Sequence, residues 1–144
     1  MKRFLGIDYG SRYIGIAVSD PLHVIARGVR VIHNTSQALD EIQDVAKEFD
    51  VEKIIVGYPL NLKGEKGQKV IEVDEFVERL QQQLPCEIIR VDERFTTTIA
   101  QQTMLDMGVK KKQRQKKGVV DAMAAALILQ NYLDSFSTFS RQEL

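Results

Sequence analysis

The chain has one cysteine, Cys86, two histidines, no tryptophan and three prolines in 144 residues. A single thiol excludes a disulfide framework within the chain and a cysteine-rich zinc site, and two histidines leave little soft ligation for a transition metal. Net charge is also lacking, because twenty Lys and Arg residues balance twenty Asp and Glu residues. No global field draws such a protein to nucleic acid or to a membrane surface, so any binding of that kind must come from a local patch. No apolar run approaches the length of a membrane span, and Met1-Lys2-Arg3-Phe4 passes straight into a strand pattern. The expectation is a cytoplasmic protein with no membrane partner. The length suits one domain with its own core, expected over residues 1–135, followed by a polar tail at 136–144.

What is present is organised around the first twenty residues. The apolar run Phe4-Leu5-Gly6-Ile7 ends in Asp8, a Gly10-Ser11-Arg12 turn follows, and Ile14 to Val18 leads away from it. This reads as a β-hairpin with a carboxylate at the end of a buried strand, which is costly to desolvate unless a cation or hydrogen-bond donors meet it. Val24 to Val31 predicts a third antiparallel strand with an irregularity at Gly28. Asn34, Thr35 and Ser36 offer a helix N-cap ahead of Leu39, Ile42, Val45, Ala46 and Phe49 at helical spacing. Lys53 to Gly57 reads as a strand covered on both faces, with a loop from Tyr58 to Gly67 after it. Val70, Val73, Val77, Leu80 and Leu84 mark a second helix stopped by Pro85, and Cys86 to Val91 a fifth strand ending in Asp92-Glu93-Arg94. Thr96 or Thr97 caps a third helix through Met107, and a last helix is expected from Val119 to Leu133, with a frayed tail from Ser135. The order predicts an α/β fold: three antiparallel strands, then two parallel ones, in a mixed five-stranded sheet flanked by helices.

The ends of strands one, four and five should open on one edge, where ligands usually sit in such sheets. Asp8, the Asp92-Glu93 pair and Asp121 fall on or near it. Acids converging without histidine or cysteine suit a hard cation such as Mg²⁺ or Mn²⁺, and the matching reaction class is phosphodiester hydrolysis. Taken singly, each acid has a plainer reading. Asp8 is then a turn residue, Asp121 an acid in a first helical turn, and Asp92 and Glu93 are strand-end charges paired with Arg90 or Arg94. With strand four between strands one and five, the acid of strand five must cross roughly two spacings of about 4.8 Å. That reach favours Glu93 over Asp92, and only one of two neighbouring strand residues faces a given side.

Six of the eight residues from Lys110 to Lys117 are basic: Lys110, Lys111, Lys112, Arg114, Lys116 and Lys117. Such runs are often solvated loops, but this one leads into Asp121 and is placed to hold phosphates. Arg12 and Arg94 stand within a few residues of the acids and are candidates to clamp a phosphate. Lys63 and Lys66 are as readily ion-pair residues as substrate contacts. His23, His33 and Cys86 read as structural.

Four motifs in order, Gly6-Ile7-Asp8-Tyr9-Gly10-Ser11-Arg12, Val56-Gly57-Tyr58-Pro59-Leu60-Asn61, Asp92-Glu93-Arg94-Phe95-Thr96-Thr97 and Val120-Asp121-Ala122-Met123-Ala124-Ala125, resemble those of the bacterial YqgF (RuvX) family. The resemblance implies a ribonuclease H-like fold and a hydrolase: a Mg- or Mn-dependent endonuclease acting in ribosome biogenesis, in 5′-end maturation of pre-16S ribosomal RNA. Its similarity to RuvC implies the alternative of Holliday-junction resolution on four-way DNA. Family acids carry over to Asp8, Glu93 and Asp121 as catalytic and metal-binding residues. One departure stands out. RuvC-type enzymes have an acid at the end of strand four and paired acids near the last helix, whereas here strand four ends in Gly57-Tyr58-Pro59 and the helix offers Asp121 alone. The opening motif also resembles the ATP-binding hairpin of the actin and sugar-kinase superfamily, but a second such hairpin is missing. A non-catalytic nucleic-acid-binding or transcription-associated module is a further alternative. Monomer and homodimer both remain open.

Overall fold

A computed structural model describes residues 2–60, 63–93 and 117–143, with side chains for all of these except 117–120 and 137–143. Five strands form one sheet: β1 (Arg3–Tyr9), β2 (Tyr13–Ser19), β3 (Ala26–His33), β4 (Val51–Tyr58) and β5 (Glu87–Asp92). Helix α1 (Ala38–Glu48) links β3 to β4, α2 (Gln68–Gln83) links β4 to β5, and α3 (Lys117–Glu143) ends the described chain. The strand order is β3-β2-β1-β4-β5. β1, β2 and β3 pair antiparallel, while β4 runs parallel to both β1 and β5. This is the mixed sheet expected, with β4 between β1 and β5. The expected third helix, Arg94 and the basic residues Lys110 to Lys116 lie outside the described residues, as does the side chain of Lys117.

The sheet's two faces differ in what covers them. Leu5, Ile7, Ile14, Ile16, Val18, Ile54 and Val56 pack with Ile42 and Val45 of α1 and with Val73, Phe76, Val77 and Leu80 of α2. Phe4, Ala17 and Ile55 pack on the other side with Ala125, Ile128, Leu129 and Leu133 of α3. Burying side chains of this size contributes roughly 1.5–3 kcal/mol each, so the first face carries most of the stabilising apolar burial. Among the described residues no helix is long and apolar enough to cross a membrane.

Several boundaries differ from the sequence reading, most by one or two residues. β3 begins at Ala26, not Val24, because Asp20 Oδ1 accepts the amides of Val24 at 2.7 Å and Ile25 at 2.9 Å and holds them in a turn. Those bonds, the Ile25 one foremost, hold the Asp20 carboxyl below its usual range. The register between β2 and β3 shifts where Ala17 pairs with Gly28 and Ile16 with Arg30, so the irregularity does sit beside that glycine. Helix α1 begins after Gln37, which makes no side-chain cap bond. Thr35 instead accepts the Gln37 amide at its hydroxyl, 3.2 Å, in a local turn. Helix α3 runs on past Leu133 to Glu143.

Candidate active site

Side-chain alternation decides which residues meet at the end of β1. A Cβ at Gly6 would lie 2.8 Å from Leu129 Cβ and 2.9 Å from the Ala125 carbonyl oxygen, so Gly6 faces α3. Two residues on, Asp8 faces the same side. Its partner on β2 is Gly15, and one step past the Ile7–Val56 pair Gly57 of β4 comes level with it. Asp8 therefore stands between two glycines on the α3 face.

Both vacated volumes are filled by suspects. The main chain of Asp121 occupies the place a Gly15 side chain would take, and a Cβ at Gly28 would lie 3.0 Å from the Ala122 carbonyl oxygen. These small residues let the first turns of α3 settle onto β2 and β3, and Asp121 is left only 9% exposed. On the other side, a Cβ at Gly57 would lie 2.5 Å from Glu93 Oε2 and 2.9 Å from Glu93 Cδ. The Glu93 amide donates to the Tyr58 carbonyl at 3.2 Å, one rung beyond the Tyr58–Asp92 pair. Glu93, not the exposed Asp92, thus lays its carboxyl across β4 toward β1.

The result is a carboxyl pair. Burial first, then the charge of Asp8 and a hydrogen bond with it, push Glu93 up to about 8; Lys69 opposes the shift and Asp92 adds to it. At neutral pH the pair holds one proton, shared in the hydrogen bond between Glu93 and Asp8. Asp121 flanks this pair through Gly15, yet among the described residues no three acid, histidine or cysteine groups close into a complete metal cage. The structure brings Asp8 and Glu93 together and sets Asp121 beside them. An oxygen-only pair sharing one proton suits a hard divalent cation, which neutralises the like charges as the proton now does.

The other candidates are placed less closely. Arg12 is exposed on the β1–β2 turn, where Asn34 ties the chain by donating its amide nitrogen to the Arg12 carbonyl and Nδ2 to Gly10, each at 2.9 Å. Lys66 sits over the Tyr58 ring at 5.9 Å, and Arg90 pairs with Asp74 at 3.0 Å on the α2 face. Lys69 and Tyr13 went unread in the sequence, while His33 reads there as structural. Lys69, in the first turn of α2, is the cation acting on Glu93, and its position after the strand-four loop was the available signal. Tyr13 and His33, adjacent on β2 and β3 with ring centroids 5.0 Å apart, lie on the same face as Asp8.

Comparison with known proteins agrees with this architecture. The RuvX family, described as "Holliday junction resolvase", matches residues 2–135. A Sulfurihydrogenibium protein named "Putative pre-16S rRNA nuclease" is 43% identical over 95% of this chain and 93% of its own length. A Bacteroides fragilis protein of the same name is 42% identical over 94% of this chain and 98% of its own. Among solved structures, Thermus thermophilus RuvC bound to a Holliday junction superposes with a TM-score of 0.58 at 16% identity, covering 95% of this chain and 96% of RuvC. The fowlpox virus resolvase with junction DNA gives 0.53 at 10% identity, covering 93% and 98%. At such identities these two show a shared ribonuclease H-like, resolvase-type fold.

Proposed function

Because the chain belongs to the RuvX family, we propose that it is a divalent-metal-dependent nuclease that hydrolyses phosphodiester bonds in precursor 16S ribosomal RNA. The observation that carries the reading is the half-buried carboxyl pair, Asp8 with Glu93 raised to about 8. A Mg²⁺ or Mn²⁺ ion bound there would supply a water of lowered pKa and offset charge on the phosphate. Asp8 and Glu93 would hold it, with Asp121 as the third acid beside Asp8. Asp8, fixed in the β1 ladder, sets where the reacting phosphate lies. The proton shared by Asp8 and Glu93 would be released on cation binding, which would tie binding to pH. The Arg12 and Arg94 guanidiniums would clamp the phosphate, and Lys110, Lys111, Lys112, Arg114, Lys116 and Lys117 would track the strand backbone in a salt-dependent way.

Ribosomal RNA as substrate is supported by the names of the relatives, and four-way DNA by the family's description and the RuvC-like fold. Purified protein is incubated with precursor ribosomal RNA, single-stranded RNA and a DNA junction, with and without Mn²⁺. The expected result is Mn²⁺-dependent cleavage of precursor RNA that the Asp8→Asn, Asp121→Asn double variant loses. Equal cleavage by wild type and double variant would sink the metal-site mechanism, and symmetric cleavage of the junction alone would favour the resolvase reading.

A further inference from the structure

We propose that Gly57 is the positioning residue for the Glu93 carboxyl: it keeps open the gap across β4 through which an acid on β5 reaches Asp8 on β1. The inference rests on reading Asp8 and Glu93 as cation ligands. In the order β1-β4-β5, the acid of β5 has a whole strand to cross, about two spacings of 4.7–4.9 Å. The ladder anchors the Glu93 amide on Tyr58, next to Gly57, and the side chain then lies over Gly57 itself. Any side chain at position 57 competes with the carboxyl for one volume.

The contacts also show what would yield. The three atoms nearest to a Cβ at Gly57 are all in side chains, Glu93 Oε2 at 2.5 Å, Ile128 Cδ1 at 2.6 Å and Glu93 Cδ at 2.9 Å. The half-exposed Glu93 side chain can rotate away while Ile128 is fully buried, so an added methyl displaces the carboxyl once the Ile128 tip is out of the way. Nor does the backbone demand glycine, since Gly64 is the glycine with positive φ among the described residues. Gly57 is therefore spared a side chain by the acid above it. It follows that positions 57 and 93 are interchangeable sources of one carboxylate. An aspartate at 57 would project from the strand next to Asp8 and make the long reach from β5 unnecessary.

The test is Mn²⁺ affinity, measured by calorimetry on the full chain, with melting temperature as the check on folding. All Gly57 variants are made in an Ile128→Val background, which deletes the Cδ1 atom and leaves the contact with Glu93 as the only crowding of those two. Ile128→Val alone should bind as wild type does. Glu93→Ala should weaken binding by about 10- to 100-fold, and Gly57→Ala should match it while melting as a folded protein. Adding Gly57→Asp to Glu93→Ala should recover at least about tenfold of the loss. Reference-level affinity in Gly57→Ala, or no recovery with Gly57→Asp, would overturn the positioning role while leaving the ligand reading intact. Unchanged affinity in Glu93→Ala would overturn the ligand reading and the inference together.

Discussion

The two faces of the sheet are built from different materials. The face under α1 and α2 is packed with fully buried Leu5, Ile7, Ile16, Ile54 and Leu80. The face under α3 carries glycines at 6, 15 and 57, small alanines on the helix, and the acids. Large branched side chains maximise apolar burial but hold a helix well away from the strands. Glycines remove that spacer, so helix main chain and a carboxyl come within reach of Asp8. One face supplies stability, and that margin supports the like-charged, partly desolvated cluster on the other.

This comparison can be broken in graded ways. The largest effect is expected from Asp8→Asn, which should reduce Mn²⁺-dependent cleavage by roughly a thousandfold or more, equivalent to about 4 kcal/mol of transition-state stabilisation, with little change in melting temperature. Leu80→Ala, on the opposite face and fully buried, should do the reverse. Urea denaturation should show a loss of about 2–5 kcal/mol, while Mn²⁺ affinity of the folded protein stays as it was. Gly15→Ala should lie between these extremes, because the new methyl would collide with the Asp121 main chain. It should cost about 1–3 kcal/mol in the same denaturation experiment and weaken Mn²⁺ binding as α3 is pushed off β2. The smallest effect should come from Arg90→Ala. Its ion pair with Asp74 is about a third exposed on both sides, so a loss of no more than about 1 kcal/mol is expected.

Much of this was legible from residue patterns alone. The opening hairpin, the continuous apolar run of β4 and the two crossovers follow from alternation and helical spacing, and together they predict β4 between β1 and β5. Strand spacing and side-chain length favour Glu93 over Asp92, and the sheet shows the Glu93 carboxyl extending over Gly57. Local capping was harder to read, because Thr35 spends its side chain on a turn that competes with the helix beside it. The functions of Gly15 and Gly57 were hidden for a deeper reason. What a glycine makes room for depends on cross-strand register and on a helix distant in sequence, and neither is written at the position itself. The absence of a strand-four acid was visible at Gly57. That the vacancy holds the strand-five acid required the sheet.

As a cation-binding pair, Asp8 and Glu93 would hold one proton in place of the ion. Glu93 is raised from 4.5 to about 8, so the folded chain binds more protons than the unfolded one between those values. The metal-free protein should therefore lose stability as pH rises through about 8, with the benefit fully present only below about 4.5. Mn²⁺ affinity should climb over the same interval. The most direct measurement is calorimetric Mn²⁺ binding near pH 6.5 in buffers of different ionisation enthalpy. A shared-proton pair predicts release of about one proton per ion, abolished in Glu93→Gln, and binding lost in Asp8→Asn. Mn²⁺ binding without proton release, or unaffected by Asp8→Asn, would contradict it.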